Sequence, residues 1–151
     1  MALKITLKPH ERMIIAGAAI TNGGSTANLI IENNVPILRE KDILGKKDAD
    51  SPARRIYFVV QIMYLDPENL AAHHQSYWDL VRDFIKAAPS SLPIIEKISR
   101  QILAGRYYKA LKCSRTLIEY EDSLLARVKE VQEIRQCPPQ NGGAESPVPN
   151  L

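Results

Sequence analysis

Two cysteines in 151 residues, Cys113 and Cys137, cannot make a disulfide framework and suit a reducing compartment. No apolar run approaches the ~18 residues a membrane-crossing helix needs. The opening residues, Met1 to Lys8, alternate polar and apolar and have no continuous secretory core, so the expected location is the cytoplasm, away from membranes. A region of one charge sign is also missing. Residues 1–50 carry 7 basic and 6 acidic side chains, residues 51–105 carry 6 and 5, and residues 106–151 carry 7 and 6. A protein that holds nucleic acid by bulk charge would show a basic arm or domain. Any anion site here must be assembled by folding.

Catalytic and metal-binding patterns are equally sparse. Gly23-Gly24-Ser25 lacks the Lys-Ser/Thr pair of a phosphate loop. His73 and His74 are adjacent, ~100° apart on a helix, and cannot chelate one metal from one face. His10 sits in a turn beside Pro9, and Cys113 lies within a helical pattern where small thiols usually pack. Tyr107, Tyr108 and Trp78 read as helix-packing aromatics. Glu119, Glu121 and Asp122 read as a solvated face. The sequence predicts no enzyme, no metal and no cofactor.

What is present divides in two. Leu3, Ile5 and Leu7 alternate with Lys4, Thr6 and Lys8, the period of a half-buried strand. Short apolar runs at Met13–Ile15 and Ala18–Ile20 flank Gly17. Asn22-Gly23 carries a strong hairpin signal, with Thr26–Glu32 as the return strand. Asn33-Asn34 makes a further turn before Val35–Arg39. These residues, 1–44, predict a small antiparallel sheet or barrel of four or five strands, too small to be stable without a partner surface.

Residues 51–136 predict about four helices, so the fold class is α+β. Ser51-Pro52 starts the first, a cap acceptor followed by a residue suited to the first helical turn. Gly105 closes the third, where a left-handed residue is wanted. The last helix, from about Arg106 to Ile134, is the longest. Ala110, Leu117, Leu124 and Val131 fall seven apart, with Val128 interleaved. That stripe either folds over the helix's own bundle or forms a seam for a partner helix or a second copy, for which Leu117, Leu124, Val128 and Val131 are the candidates. Prolines and glycines in residues 137–151 predict a disordered tail.

One basic stretch stands out: Arg106, Lys109, Lys112 and Arg115, preceded by Lys97 and Arg100, with no acidic residue among them. It serves either helix solvation and the helix dipole or contact with an RNA backbone or acidic partner.

The segments Leu3–Arg12, Ile30–Asn33, Leu38–Leu44 and Ala53–Phe58 resemble the FlbT family of flagellum biosynthesis repressor proteins, and the resemblance runs through the helices to about residue 135. It implies a cytosolic post-transcriptional regulator that associates with the 5′ leader of flagellin mRNA, represses flagellin synthesis and promotes degradation of the message. It also implies action together with the small flagellar protein FlaF and possibly flagellin itself. Some relatives promote flagellin expression, which leaves the sign open. His10 stands where the resemblance leads one to expect glycine. The alternative is an adaptor that binds FlaF or flagellin and affects the message indirectly.

Residues 3–44 also resemble the carbon storage regulator family, a small β-strand RNA-binding dimer. The similar segments are Glu11 with Met13-Ile14-Ile15, Leu29-Ile30-Ile31-Glu32 and Leu38–Ile43. In that likeness Arg39, Thr6 and Lys8 line an RNA groove, with Lys41 beside them.

Overall fold

The computed structural model describes residues 2–136, with side chains through Ile134; the expected tail, 137–151, and Cys137 lie outside the described residues. Five strands form an N-terminal head: β1 (Leu3–Leu7), β2 (Arg12–Ile15), β3 (Ala18–Thr21), β4 (Ala27–Ile31) and β5 (Ile37–Arg39). Four helices follow: α1 (Pro52–Leu65), α2 (Leu70–Ala87), α3 (Leu92–Leu103) and α4 (Tyr107–Gln136). The α+β expectation stands, although the strands make two antiparallel sheets rather than one, in the orders β1–β4 and β3–β2–β5.

The expected hairpin at Asn22-Gly23 is not there. The tight turn lies one strand earlier, at Ala16 (φ 51°) and Gly17 (φ 87°), between β2 and β3, which pair from Arg12↔Thr21 to Ile15↔Ala18. Two successive positive φ values are what a hairpin turn matching strand twist requires. Asn22 instead donates through its side-chain amide to the carbonyls of Leu7, Lys8 and Ser25, at 3.1, 2.9 and 2.8 Å. That knot diverts the chain away from β3, so β4 pairs with β1, from Leu3↔Ile31 to Leu7↔Ala27. His10, in the turn after β1, holds φ 65°, the left-handed conformation glycine would adopt without strain.

Strand alternation decides how head and body meet. Ile5, Leu7 and Met13 form the buried centre of the head, with Ile15, Leu29, Ile31 and Ile37 against it. The neighbours Ile14 and Leu38 point the other way, and Leu38, fully buried, belongs to the helical core with Ile56, Val60, Ile98, Ile102, Leu111 and Leu117. The three-stranded sheet therefore lies between two small cores, and its period of two supplies both.

The helix boundaries follow local chemistry. At the start of α1 the Ser51 hydroxyl accepts from Arg54 N–H at 3.2 Å, ahead of Pro52. At the end of α3, Gly105 (φ 74°) donates to Ile102 O and Arg106 to Gln101 O, at 3.0 and 2.8 Å, a glycine-centred stop. α4 packs against both α1 and α3. Its 30 residues span ~45 Å against ~21 Å for the 14 of α1, so its C-terminal half runs past the bundle. Among the described residues no helix is long and apolar enough to cross a membrane.

Candidate functional site

The candidate residues of the head come together. Lys8, Pro9, His10, Glu11, Arg39, Glu40 and Lys41 line a cleft of about 520 Å³ where the turn after β1 meets the end of β5. Arg39 organises it. Its Nη2 donates to Thr6 O at 2.9 Å and to Glu11 Oε2 at 3.1 Å, bridging the two sheets at their open edges. Glu11 also accepts from Lys8 N–H at 2.8 Å. That backbone bond, then the Arg39 guanidinium, hold the Glu11 carboxyl below its ordinary value of 4.5. Thr6 turns its hydroxyl to Asn28 Oδ1 at 3.0 Å, outside the cleft lining. Lys8 and Lys41 have exposed side chains and no ion pair among the described residues. The cleft thus sets three cations against two carboxylates, and Lys8 and Lys41 are its unspent charges.

The second basic group is divided by the fold. Lys112 and Arg115 turn inward to Asp42, whose carboxylate is buried at the head–body junction. Lys112 Nζ lies 3.0 Å from both Asp42 oxygens, and Arg115 Nη2 lies 3.5 Å from one. Arg115 also donates to Lys41 O and to the Tyr57 hydroxyl, at 3.0 and 3.2 Å. The Tyr57 hydroxyl donates in turn to Asp42 O at 2.6 Å, and burial raises that phenol above its ordinary value, keeping the proton in place. Two of the four basic residues therefore fasten the head to the body. Arg106 and Lys109 remain exposed.

The expected seam is divided as well. Leu117 is fully buried in the bundle and offers nothing to a partner. Leu124 is half-buried, and only Val128 and Val131 are exposed, with Leu125 and Ile134 at the stripe's margins. Glu121, which the sequence places on a solvated face, is buried: its Oε2 accepts from Ala53 N–H, at the start of α1, at 2.9 Å. Its place on the stripe with Leu117 and Leu124 was the available signal. Asp122 does sit at the surface, where it holds Arg54 through two oxygens at 3.1 and 3.2 Å. The adjacent histidines part company, His73 toward Asp66 at 3.2 Å and His74 toward the Tyr107 hydroxyl at 3.3 Å. Among the described residues no three of His, Cys, Asp and Glu gather as metal ligands.

Sequence comparison places these features in a lineage. The family model described as "Flagellar protein FlbT" matches residues 3–125. The chain is 51% identical over 125 residues to a probable flagellum biosynthesis repressor protein FlbT 1 of Bradyrhizobium diazoefficiens, covering 82% of this chain and 85% of that one. It is 42% identical over 127 residues to a probable repressor of the same name from Rhodopseudomonas palustris, 84% of this chain and all of the relative. It is 39% identical over 130 residues to the flagellum biosynthesis repressor protein FlbT of Caulobacter vibrioides, 85% and 92% of the two chains. No solved structure matches.

Proposed function

Because the chain belongs to the FlbT family of flagellar proteins, we propose that it regulates flagellum biogenesis in the cytoplasm as a post-transcriptional repressor, contacting the 5′ leader of flagellin mRNA through the head cleft. The observation that carries this reading is the convergence on one cleft of Lys8 with Arg39 and Lys41, which lie more than thirty residues later in the chain. Three relatives bear the name repressor. Unpaired leader bases present edges that a strand-rim cleft can reach, which the deep groove of an A-form duplex does not allow. Lys8 and Lys41 would meet phosphates, while Arg39, tied to Thr6 O and Glu11, would keep the cleft's shape. Occupying the leader would deny it to ribosomes, with degradation left to a separate nuclease.

The test is a gel shift of flagellin leader RNA by the purified chain. Replacing Lys8 and Lys41 together by alanine should weaken binding and lower the magnitude of the slope of log affinity against log salt by about 1.4, since each contact to a single-stranded phosphate contributes roughly 0.7. RNA that binds equally to both proteins, or to neither, rejects the cleft.

The exposed stripe of α4 favours a second reading, an adaptor that holds FlaF, flagellin or a second copy of itself. Val128 and Val131 continue, beyond the bundle, the line that seats Leu117 inside it. Co-elution with FlaF or flagellin, without any shift of leader RNA, would decide for that reading.

A further inference from the structure

The head is an open arrangement. β1 and β5 face each other across a slot of about 430 Å³, yet they share no ladder, because the strand orders are β1–β4 and β3–β2–β5. We infer that this slot accepts an extended peptide strand from a protein partner, of alternating apolar and acidic residues, through main-chain pairing with β1.

The direction of the backbone groups carries the argument. Thr6 O accepts from Arg39, which belongs to β5, so Thr6 turns its polar groups away from β4. In an antiparallel pair, inward-turned and outward-turned residues alternate. Thr6 faces Asn28 and Lys4 faces Ile30, so both are outward-turned positions. The N–H and C=O of Lys4, which lines the slot, thus point into it, with the N–H of Thr6 turned the same way just beyond the lining, and no turn or loop bond among the described residues takes them up. The facing wall is closed. Ile37 donates its N–H to the Tyr64 hydroxyl at 3.0 Å, and that hydroxyl donates to Ile37 O at 3.2 Å. The slot therefore has one satisfied edge and one edge awaiting a strand.

Its lining states what the strand should carry. Leu3, Ile5, Val35, Ile37, Tyr64 and Tyr108 give apolar and aromatic walls, and Leu3 and Tyr108 are half-exposed there. Among the described residues Lys4 is the unpaired charge of the lining, which contains no carboxylate; its other cation, Arg39, is held by Glu11 from outside the slot. Lys112 lies over the Tyr108 ring at 5.2 Å. Three strand residues, Leu3 to Ile5, offer ~10 Å of edge. An added strand gains affinity from its backbone and selectivity from alternate side chains. Here one alternating set meets the apolar walls and the other meets the Lys4 side of the slot. This inference is independent of RNA contact at the neighbouring cleft.

The experiment uses the full chain and a capped hexapeptide, Val-Asp-Val-Glu-Val-Asp. Binding should slow amide exchange at Lys4 and Thr6 at least tenfold. Methylating alternate peptide nitrogens should weaken binding about tenfold, the effect of losing one or two backbone hydrogen bonds. Lys4→Pro should do the same, since it removes only an outward donor and leaves the β1–β4 ladder paired. Should that variant fail to fold, Lys4→Glu keeps the backbone and should weaken the acidic peptide by charge alone. The inference fails if the peptide does not bind, if Lys4 and Thr6 exchange is unchanged, or if a lysine-substituted peptide binds equally well. It also fails if octauridylate protects those two amides in the peptide's place.

Discussion

Lys112 sets its ammonium nitrogen 3.0 Å from each carboxylate oxygen of Asp42, seventy residues earlier in the chain. The two ends of this bond are unequal. The Asp42 side chain is 4% exposed, whereas that of Lys112 is 42% exposed. Deleting the lysine leaves a buried anion with only Arg115, 3.5 Å away. Deleting the anion lets the lysine turn to water. Lys112→Met should therefore destabilise by about 2–3 kcal/mol, and Asp42→Asn by about 1 kcal/mol. Urea denaturation of both variants measures the difference, and equal losses would refute the assignment of Asp42 as the dependent partner.

Glu121 does for α1 at long range what Ser51 does locally. Both meet N–H groups of the first turn that have no partner within the helix, Ser51 at Arg54 and Glu121 at Ala53. A carboxylate at a helix N-terminus also meets the positive end of the helix dipole. Glu121→Ala should cost about 2 kcal/mol by orphaning a buried donor, whereas Glu121→Gln keeps an acceptor and should cost about 1 kcal/mol or less. Ser51→Ala should fall near 1 kcal/mol. Denaturant midpoints for the three variants give the ranking, and a Glu121→Ala protein as stable as the parent would remove the long-range cap.

These two carboxylates mark the boundary of what the sequence makes legible. Element types and most helix ends follow from period, caps and turn residues, as at Ser51, Gly105 and the alternation of β1. Arg39, at the end of β5, lies beside β1. The pairing of strands was not legible. The Ala16-Gly17 turn lacks the asparagine that advertises such turns, while the real asparagine, Asn22, spends its amide on three distant carbonyls. Glu11, Asp42 and Glu121 look like solvated charges because their long-range partners, Arg39, Lys112 and Ala53, arrive only when elements 28 to 70 residues apart are docked. Charge counting cannot separate a cation aimed at solvent, such as Lys8, from one spent on the fold, such as Lys112.

Glu11 should give the head an acid-sensitive clamp. Its carboxyl titrates below 4.5 when folded because the Lys8 N–H and the Arg39 guanidinium favour the charged form. A folded value below the unfolded one means that the stabilisation is full above pH 4.5 and is lost as pH falls through the folded value. Glu11→Gln should thus be less stable than the parent at neutral pH, with the gap closing below pH 4.5. Urea midpoints from pH 3 to 7 record it, and a gap that persists unchanged to pH 3 would mean the carboxylate charge contributes nothing.

Leu117 and Val131 lie two heptads apart on the same stripe of α4, and the fold gives them opposite surroundings. Leu117 is fully enclosed by the bundle, whereas Val131 is 47% exposed beyond its end. Truncating an enclosed leucine removes its transfer free energy and leaves a cavity, so Leu117→Ala should cost about 2–5 kcal/mol. An exposed helical position away from such features tolerates change, so Val131→Asp should stay within about 0.5 kcal/mol, apart from the few tenths a poorer helix former adds. Paired denaturation curves test this division. If Val131→Asp instead unfolds the chain as Leu117→Ala does, the outer half of α4 is held by a contact within the chain or between copies, and a protein-concentration series separates those two: only the latter makes the midpoint rise with concentration.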